Sequence, residues 1–411
     1  MITDRESDIA ELADSKPKGE ESEALFETGQ VVTISAGHAV HDTYTAFLPP
    51  LLPVLIERFV LSNAQAGLLS AFLQLPSLAQ PVIGHLADSL SLRYLVILAP
   101  GVSATLMSLL GISPGFLWAA ALLLLAGLSS ASIHAIGPVM AGRVSGNRLG
   151  RGMSYWMVGG ELGRTIGPIL IVSAIGWFSI RGVAWLMVGG WAASFVLLLQ
   201  LRSVPGRPSV DQEALPWREA ILKMRPFLFA LAGLQVVRSF SSVALTTYLP
   251  LFLEQQGSSL FWAGASLSIL EAAGVIGALV GGSFSDRLGR RRVLAISMVA
   301  TAGLIVIFLM LTGWWQRVVL PFLGFASLSM TPVIMAIVQE CYPENRALAN
   351  GVYMALSFLI RSLILVVFGA MSDWIGLTTS YLISSALLLS GLLILPAFPI
   401  KTDNAQTYGS S

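Results

Sequence analysis

The chain is dominated by long apolar stretches separated by short polar breaks. Runs of about 20 apolar residues, the length that crosses the hydrocarbon core of a bilayer, recur from Val31 nearly to the C-terminus. Charged, Gly, Pro and Ser residues mark the breaks between these runs. The pattern predicts an all-α membrane protein with twelve transmembrane spans, at 31–56, 64–87, 93–112, 115–142, 151–177, 182–201, 226–253, 260–284, 292–313, 317–340, 348–371 and 376–399.

The composition agrees with this pattern. Of the 411 residues, 55% are hydrophobic and 11% are charged, whereas a soluble globular chain has roughly 25% charged residues. The single cysteine, Cys341, excludes an intrachain disulfide and a cysteine-based metal site, and we predict neither a metal nor a cofactor. The net charge of +1 is divided among loops rather than collected in one patch, so we expect no nucleic-acid partner.

Lysine and arginine are distributed unequally between the two sides of the predicted membrane. Most of them fall in the loops of one side, whereas only Arg58, Arg181 and Arg317 fall on the other. The positive-inside rule makes the first side cytoplasmic. Because the number of spans is even, both termini are predicted to be cytoplasmic, in a multi-pass protein of the cell (inner) membrane.

Two polar ends and one central loop divide the chain. Residues 1–30 are acidic and lack an apolar core, which predicts a disordered cytoplasmic tail. Residues 202–225 combine prolines with dense mixed charge and predict a cytoplasmic loop between an N-terminal six-helix bundle, 31–201, and a C-terminal one, 226–399. A second short cytoplasmic tail is predicted at 400–411.

The two halves resemble each other at an offset near 200 residues. FLP at 47–49 corresponds to YLP at 248–250, and GHLAD at 84–88 corresponds to GSFSD at 282–286. Two pseudo-symmetric bundles related by an axis along the membrane normal are typical of transporters with a site between the bundles near the membrane mid-plane. The repeat therefore predicts a transporter with such a site.

The second copy of this repeat also resembles a family signature. GSFSDRLGRR at 282–291 is similar to the GxxxDRxGRR loop of the major facilitator superfamily. The resemblance implies the major facilitator fold and a gating role for the loop residues Gly282, Asp286, Arg287, Gly289, Arg290 and Arg291. The first-half copy keeps Gly84 and Asp88 but lacks the DRxGRR pattern.

The first half resembles the fosmidomycin-resistance subgroup of that superfamily most closely. The resemblance rests on HAVHD at 38–42, QPVIGHLAD at 80–88, SSASIH at 129–134 and the glycine-rich stretch 158–168. Within that stretch GRTIGP is similar to the GxxxGP pattern of exporters in the superfamily; Gly163 and Gly167 are expected to pack helices closely, and Pro168 to kink the span. The subgroup implies drug efflux, but the departures at Glu161, Arg164 and Ala135 leave the substrate open.

Several ionisable residues lie inside the predicted spans. At 1.5 Å per residue, five of them fall roughly 14 to 18 Å deep and two more at roughly 20 Å. A charge at this depth normally faces protein or a water-filled cavity and marks a functional site. The five are Asp42, His134, Glu161, Arg238 and Glu271, and the two are Arg164 and Arg361.

Two interpretations of these charges remain open. Glu161 and Arg164, at i and i+3, are expected to form a local ion pair that only stabilises the fold. Arg238 and Arg361 have no acid at such spacing, so they need a partner on another helix or a bound anion. These residues, with His134, Glu161, Arg164 and Glu271, are the candidate substrate-binding residues.

Span 1 carries the candidate proton site. His38 and Asp42 lie at i and i+4 on one helical face, with His41 beside them. An Asp–His pair in a cavity can exchange a proton near neutral pH, so we expect proton coupling here. The alternative is that Asp42 only ties helices together, just as His134 could be a packing histidine and Tyr44, Trp156 and Tyr353 could be packing or cavity-lining aromatics.

These features favour a secondary active transporter that acts as a monomer: a proton-coupled exporter, or antiporter, of a small organic anion or drug-like compound. An importer in symport with protons on the same fold is the alternative. A membrane enzyme or a non-transporting sensor is a remote third, because four histidines and one cysteine offer few catalytic groups. ATP-driven transport is not expected, since the chain has no GxxxxGK[ST] motif.

Overall fold

A computed structural model describes residues 26–89, 93–146, 148–201, 217–341 and 346–398. These residues are helical almost throughout, and no strand occurs among them. The first half contains α1 to α8: Thr28–Thr45, Leu48–Phe59, Asn63–Gln74, Gln80–Ser89, Arg93–Ser108, Phe116–Arg143, Leu149–Gly182 and Met187–Leu201. The second half contains α9 to α16: Trp217–Val243, Leu249–Gln255, Leu260–Leu288, Arg290–Met310, Trp314–Leu328, Met330–Cys341, Arg346–Ile375 and Leu377–Ser390.

Ten helical stretches within the described residues are long and apolar enough to cross a membrane. One of them, Arg151–Leu201, has 51 residues and covers two predicted spans. It changes direction where Ser179 leaves the helical region, with φ 62°. The predicted first span is not among the ten, because it is divided into α1 and α2 and because α1 carries polar side chains. The ten stretches therefore account for eleven of the twelve predicted spans, and α1 with α2 occupies the remaining one.

The internal repeat is visible as a matched irregularity in spans 1 and 7. In span 1 the helix ends at Thr45 and a new helix begins at Leu48, so the break lies at the start of the FLP segment, 47–49. Span 7 passes through a wide π-helical turn, Ala244–Tyr248, immediately before the corresponding YLP segment is completed. Proline cannot donate the hydrogen bond that would continue a regular helix, so both irregularities follow from the same local sequence.

Two predicted features need correction. Helix α9 begins at Trp217, not at 226, because hydropathy marks the membrane boundary while the helix continues into polar residues. Residues 28–30, predicted as part of the disordered tail, already belong to α1. Pro168 lies inside α7, which leaves helical dihedrals at Ser179, and a kink at Pro168 stays a prediction. The rest of the predicted tail, residues 1–25, the loop 202–216 and the end from 399 lie outside the described residues.

The two halves pack through matching helices. Helix α3 contacts α15, α7 contacts α11, and α2 contacts α10. Apolar clusters fill the interior of each half, around Phe47 and Leu51 in the first and around Phe252 and Tyr381 in the second. The two bundles therefore meet through these helix pairs.

One end of this interface is tied by polar contacts that we call the latch: Asp373, Asn63, Ala64 and Tyr248. The Asp373 carboxylate accepts hydrogen bonds from the backbone N–H groups of Asn63, at 2.7 Å, and Ala64, at 2.8 Å, which begin α3. The Tyr248 hydroxyl lies 3.0 Å from the Asn63 carbonyl oxygen and 2.9 Å from the Leu365 carbonyl oxygen of its own half, and these two acceptors share its one hydrogen. The latch lies at the end that the arginine distribution predicts to be external.

Candidate functional site

Helix α7 lies against α1 through a face of glycines. A Cβ atom built on Gly160 would lie 2.6 Å from Cε1 of His38, and one on Gly163 would lie 2.8 Å from Cβ of Asp42. One on Gly167 would lie 2.7 Å from Cβ of Ala46. The predicted packing role of Gly163 and Gly167 therefore has a direct structural basis: their lack of a side chain lets α7 reach the backbone of α1.

A buried cluster surrounds Asp42. Its carboxylate oxygens lie 3.4 Å from Nε2 of His38 and 3.6 Å from Nε2 of His134. His41 lies farther away, with Nε2 at 4.0 Å from Asp42. Of these groups His134 keeps 29% of its side chain exposed, whereas the Asp42 side chain is only 4% exposed. His134, predicted as a substrate-binding candidate, thus joins the candidate proton group as its most exposed histidine.

Sequence reasoning missed how the histidines are held. The ring of His38 stacks on Trp156 with centroids 3.8 Å apart, and its Nδ1 lies 3.0 Å from the Trp156 carbonyl oxygen. Nδ1 of His134 lies 2.8 Å from the Ser130 carbonyl oxygen. The contact between His134 and Ser130 could have been expected from the sequence, because residues four apart are neighbours on a helix. No such local spacing connects His38 with Trp156.

Arg164 connects this cluster to the rest of the interface. It forms the expected ion pair with Glu161 on its own helix. It also lies 3.5 Å from the Asp42 carboxylate, and its side chain is 41% exposed. Such exposure of a guanidinium in mid-span is compatible with water-filled space and not with lipid.

The second bundle holds its two arginines with neutral partners. Arg238 donates to Gln235, at 3.1 Å, and to Thr331, at 3.0 Å. Arg361 donates to Ser242 at 3.0 Å, and its other terminal nitrogen donates to hydroxyls of the same span 7. Within the described part of the chain no carboxylate lies within ion-pair distance of either guanidinium.

Glu271 links the two halves. Its buried carboxylate lies within electrostatic range of Arg164 and Glu161 on the first bundle and of Arg361 on the second. Arg361 in turn is within range of Arg238. Glu271 thus interacts electrostatically with charges of both bundles, while the ion pairs that Arg164 makes at contact distance among the described residues lie within the first bundle.

The signature loop makes contacts within the second bundle. Arg290 pairs with Asp286 at 2.5 Å and with Glu340 of α14 at 2.8 Å. Arg291 donates to the Phe398 carbonyl oxygen, and Gly289 adopts φ 91° between α11 and α12, where glycine is favoured. Gly282 accepts from Arg290 through its carbonyl, and the Arg287 side chain is exposed. In the first-half copy of this loop, the structure describes the helix that carries Gly84 and Asp88 but not the surroundings of these two residues.

The other aromatic candidates belong to the packed interior. Tyr44 donates to the Leu186 carbonyl oxygen at 2.5 Å. Tyr353 is 2% exposed within an apolar cluster.

Comparison with known families decides the classification. The family model described as Major Facilitator Superfamily matches residues 34–364 and 263–408. The chain belongs to the Major Facilitator Superfamily. The resemblance inferred from the signature loop is confirmed, and so is the predicted fold. This member of the superfamily is a multi-pass membrane transporter and not an enzyme.

Individual relatives are distant but cover nearly the whole chain. It is 26% identical over 378 residues to the Fosmidomycin resistance protein of Escherichia coli (strain K12), covering 89% of this chain and 91% of that protein. Its fold is similar to the crystal structure of a D-xylose-proton symporter, with TM-score 0.72, 16% identity and coverage of 92% and 99%. It is also similar to an inward-facing, unoccupied bacterial homolog of the human lysosomal transporter Spinster, with TM-score 0.68, 16% identity and coverage of 91% and 95%.

Proposed function

We propose that this transporter is a proton-coupled exporter, or antiporter, of a small organic anion or drug-like compound. It works by alternating access as a monomer in the cell membrane, with both termini cytoplasmic and the bundles 31–201 and 226–399 as its moving halves. The observation that best supports the proposal is the distribution of charge over the two bundles. Asp42 contacts Arg164 in the first bundle, and Arg361 in the second has only neutral hydrogen-bond partners among the described residues. Glu271 lies within electrostatic range of both arginines.

The second bundle supports an anionic substrate. A guanidinium has five N–H donors, and the described contacts commit two from Arg238 and three from Arg361. The two arginines and Glu271 leave this side with one excess positive charge. The planar donor fork of arginine suits carboxylate and phosphonate groups, so these residues are the proposed anion site.

The first bundle supports proton coupling. Asp42 lies 3.4 Å from Nε2 of His38 and 3.6 Å from Nε2 of His134, so a carboxylate and two imidazoles, which are groups that can exchange a proton, share one site. Loss of a proton from this group leaves Asp42 to compete with Glu161 for Arg164. The change in charge is thereby passed to Arg164, which is the member of the group that Glu271 of the other bundle senses.

Export is supported by the similarity to the Fosmidomycin resistance protein. One observation favours the alternative, import in symport with protons: a bound proton adds positive charge to the interface, and direct electrostatics then strengthens anion binding instead of opposing it. The two mechanisms differ in the sign of a measurable linkage. When one proton leaves on substrate binding, Kd rises about tenfold per unit fall in pH below the pKa of the proton site; when one proton is taken up, Kd falls about tenfold per unit fall in pH above that pKa.

The test is transport in vesicles under an imposed pH gradient, with a panel of phosphonates, organic acids and lipophilic cations. Wild-type vesicles should move an anion against the proton flux, and Asp42→Asn should abolish the response to the gradient while the protein still folds. Glu57→Gln, which removes an exposed carboxylate outside the cluster, is the matched control. Unchanged gradient-driven transport by Asp42→Asn would refute the coupling role. If the protein instead transports the lipophilic cations, the arginines are not the binding residues, and Glu161 and Glu271 are the candidates in their place.

A further inference from the structure

Two backbone carbonyls fix the protonation pattern of the histidine pair. Nδ1 of His38 lies 3.0 Å from the Trp156 carbonyl oxygen, and Nδ1 of His134 lies 2.8 Å from the Ser130 carbonyl oxygen. A carbonyl oxygen only accepts hydrogen bonds, so each Nδ1 carries a hydrogen. In a neutral imidazole the other nitrogen, Nε2, is then a bare lone pair.

These two lone pairs face each other. Nε2 of His38 and Nε2 of His134 are 3.2 Å apart, which is a hydrogen-bond distance. The Asp42 carboxylate, also an acceptor when ionised, lies 3.4 Å from the first nitrogen and 3.6 Å from the second. Among the described contacts the donor nearest to these atoms is Arg164, 3.5 Å from the Asp42 carboxylate, and no hydrogen bond from it to either Nε2 occurs. Two lone pairs that face each other without a hydrogen between them are costly unless a cation lies between them.

We propose that one excess proton is shared between Nε2 of His38 and Nε2 of His134, with Asp42 as its permanently ionised counter-charge. The inference rests on the proposed proton coupling and specifies its site: the proton resides on the histidine pair, and Asp42 holds it there. His134 is the more exposed member, so protons enter and leave through it. With the proton present the pair and Asp42 sum to zero charge.

The surrounding groups limit the site to one proton. From α7, Arg164 lies 3.5 Å from Asp42 and disfavours a second positive charge, while its partner Glu161 is already neutralised. From α1, His41 is fully buried, and its Nε2 lies 4.0 Å from Asp42, farther than the Nε2 atoms of His38 and His134. Helix α6 contributes His134 itself.

A divalent metal ion is the other cation these atoms could take. One ligand atom from each of His38, Asp42 and His134 lies within 4.8 Å of the others. Arg164, however, is as close to Asp42 as the histidines are, and its charge opposes a doubly charged ion more strongly than a proton. The geometry therefore favours the proton.

The experiment is nitrogen-15 NMR of the full chain, labelled at histidine and held in lipid nanodiscs with a metal chelator. The chain has four histidines, which single histidine-to-glutamine variants assign. Over a titration from pH 5 to 9 we expect Nδ1 of His38 and His134 to stay protonated and their Nε2 signals to move together, gaining one proton in total. Separate titration of the two rings, or hydrogens on Nε2 in the neutral state, would overturn the proposal in the wild-type protein itself.

His134→Gln gives the second arm. Its amide can donate to Nε2 of His38 without an extra proton, so the shared titration should disappear and His38 should stay neutral across the range. Ser132→Ala is the matched control, since this hydroxyl on the same helix donates only to Leu128 among its described contacts, and it should leave the titration unchanged. A His38 signal that titrates normally in His134→Gln would refute the shared proton. So would a pair that takes no proton in the wild type but binds one equivalent of Zn²⁺ once the chelator is removed. Neither result depends on transport, so the vesicle experiment remains a separate test of the proposed function.

Discussion

The latch offers the sharpest perturbation of the alternating-access equilibrium. Asp373→Ala removes two hydrogen bonds that a carboxylate accepts from the first N–H groups of α3 across the bundle interface. Hydrogen bonds to a charged group are worth about 1.5–3 kcal/mol each when buried, and an anion at a helix N-terminus adds about 0.3–1 kcal/mol. Residue 373 is exposed, however, and exposed charge pairs contribute only about 0–1 kcal/mol.

We therefore assign about 1–2 kcal/mol to the carboxylate. At about 1.4 kcal/mol per factor of ten, its loss should shift the population about five- to thirtyfold toward the state open at the predicted external end. Asp373→Asn keeps one acceptor oxygen and should give a smaller shift.

The assay is electron–electron distance measurement between spin labels on Leu117→Cys and Met310→Cys, in a Cys341→Ser background and in nanodiscs. Both positions are highly exposed and lie at the predicted external ends of different bundles. The longer-distance fraction should rise in Asp373→Ala. Glu254→Gln, another exposed carboxylate at the same end, is the control. Identical distributions in wild type and Asp373→Ala, or an equal shift in the control, would refute the role assigned to the latch.

Three further predictions concern packing, the latch and the single thiol. Gly160→Ala should lower the free energy of unfolding by about 1–3 kcal/mol, measured by thermal unfolding, because the added Cβ would lie 2.6 Å from Cε1 of His38. Gly176→Ala is the control on the same helix, since a Cβ there has nothing within 4 Å and should leave the stability unchanged. Equal effects of the two substitutions would contradict the packing argument. Tyr248→Phe should shift the equilibrium by about 1 kcal/mol toward the state open at the latch end, a smaller shift than that of Asp373→Ala in the same distance assay. An unchanged distance distribution would show that the Tyr248 hydroxyl does not hold the bundles together. Burial, with the neighbouring Glu340 carboxylate, raises the pKa of the Cys341 thiol from 9.0 to about 11. The thiolate fraction at pH 8 is then about 100-fold lower than for an ordinary thiol, so alkylation should still rise about tenfold per pH unit up to pH 10; a plateau near pH 9 would contradict this.

Spans and bundles were predictable because the bilayer imposes a length and polarity that any crossing helix must meet. The repeat also predicted that spans 1 and 7 would be alike, and their matched irregularities lie beside the same FLP and YLP segments. The start of α9 at Trp217 was missed, because hydropathy reports where lipid ends and does not report where a helix ends.

The site was predictable only in part. Asp42, Glu271 and the arginines were predicted as site residues because a charged side chain in a membrane span is costly and usually marks a functional site. The support around them depends on tertiary contacts that leave no local pattern. The Trp156 carbonyl that orients His38 is 118 positions away in sequence, and Asp373 is 310 positions from Asn63.

The glycine face of α7 has a mechanical consequence. Because glycines let the backbones of α1 and α7 touch, the two helices form one closely packed unit that carries His38 and Asp42, while His134 faces it from α6. In the proposed mechanism, a proton that arrives or departs therefore changes the charge of this unit more than its shape. Arg164, which pairs with Asp42 and is 41% exposed, is then the side chain through which the changed electric field reaches Glu271 of the other bundle.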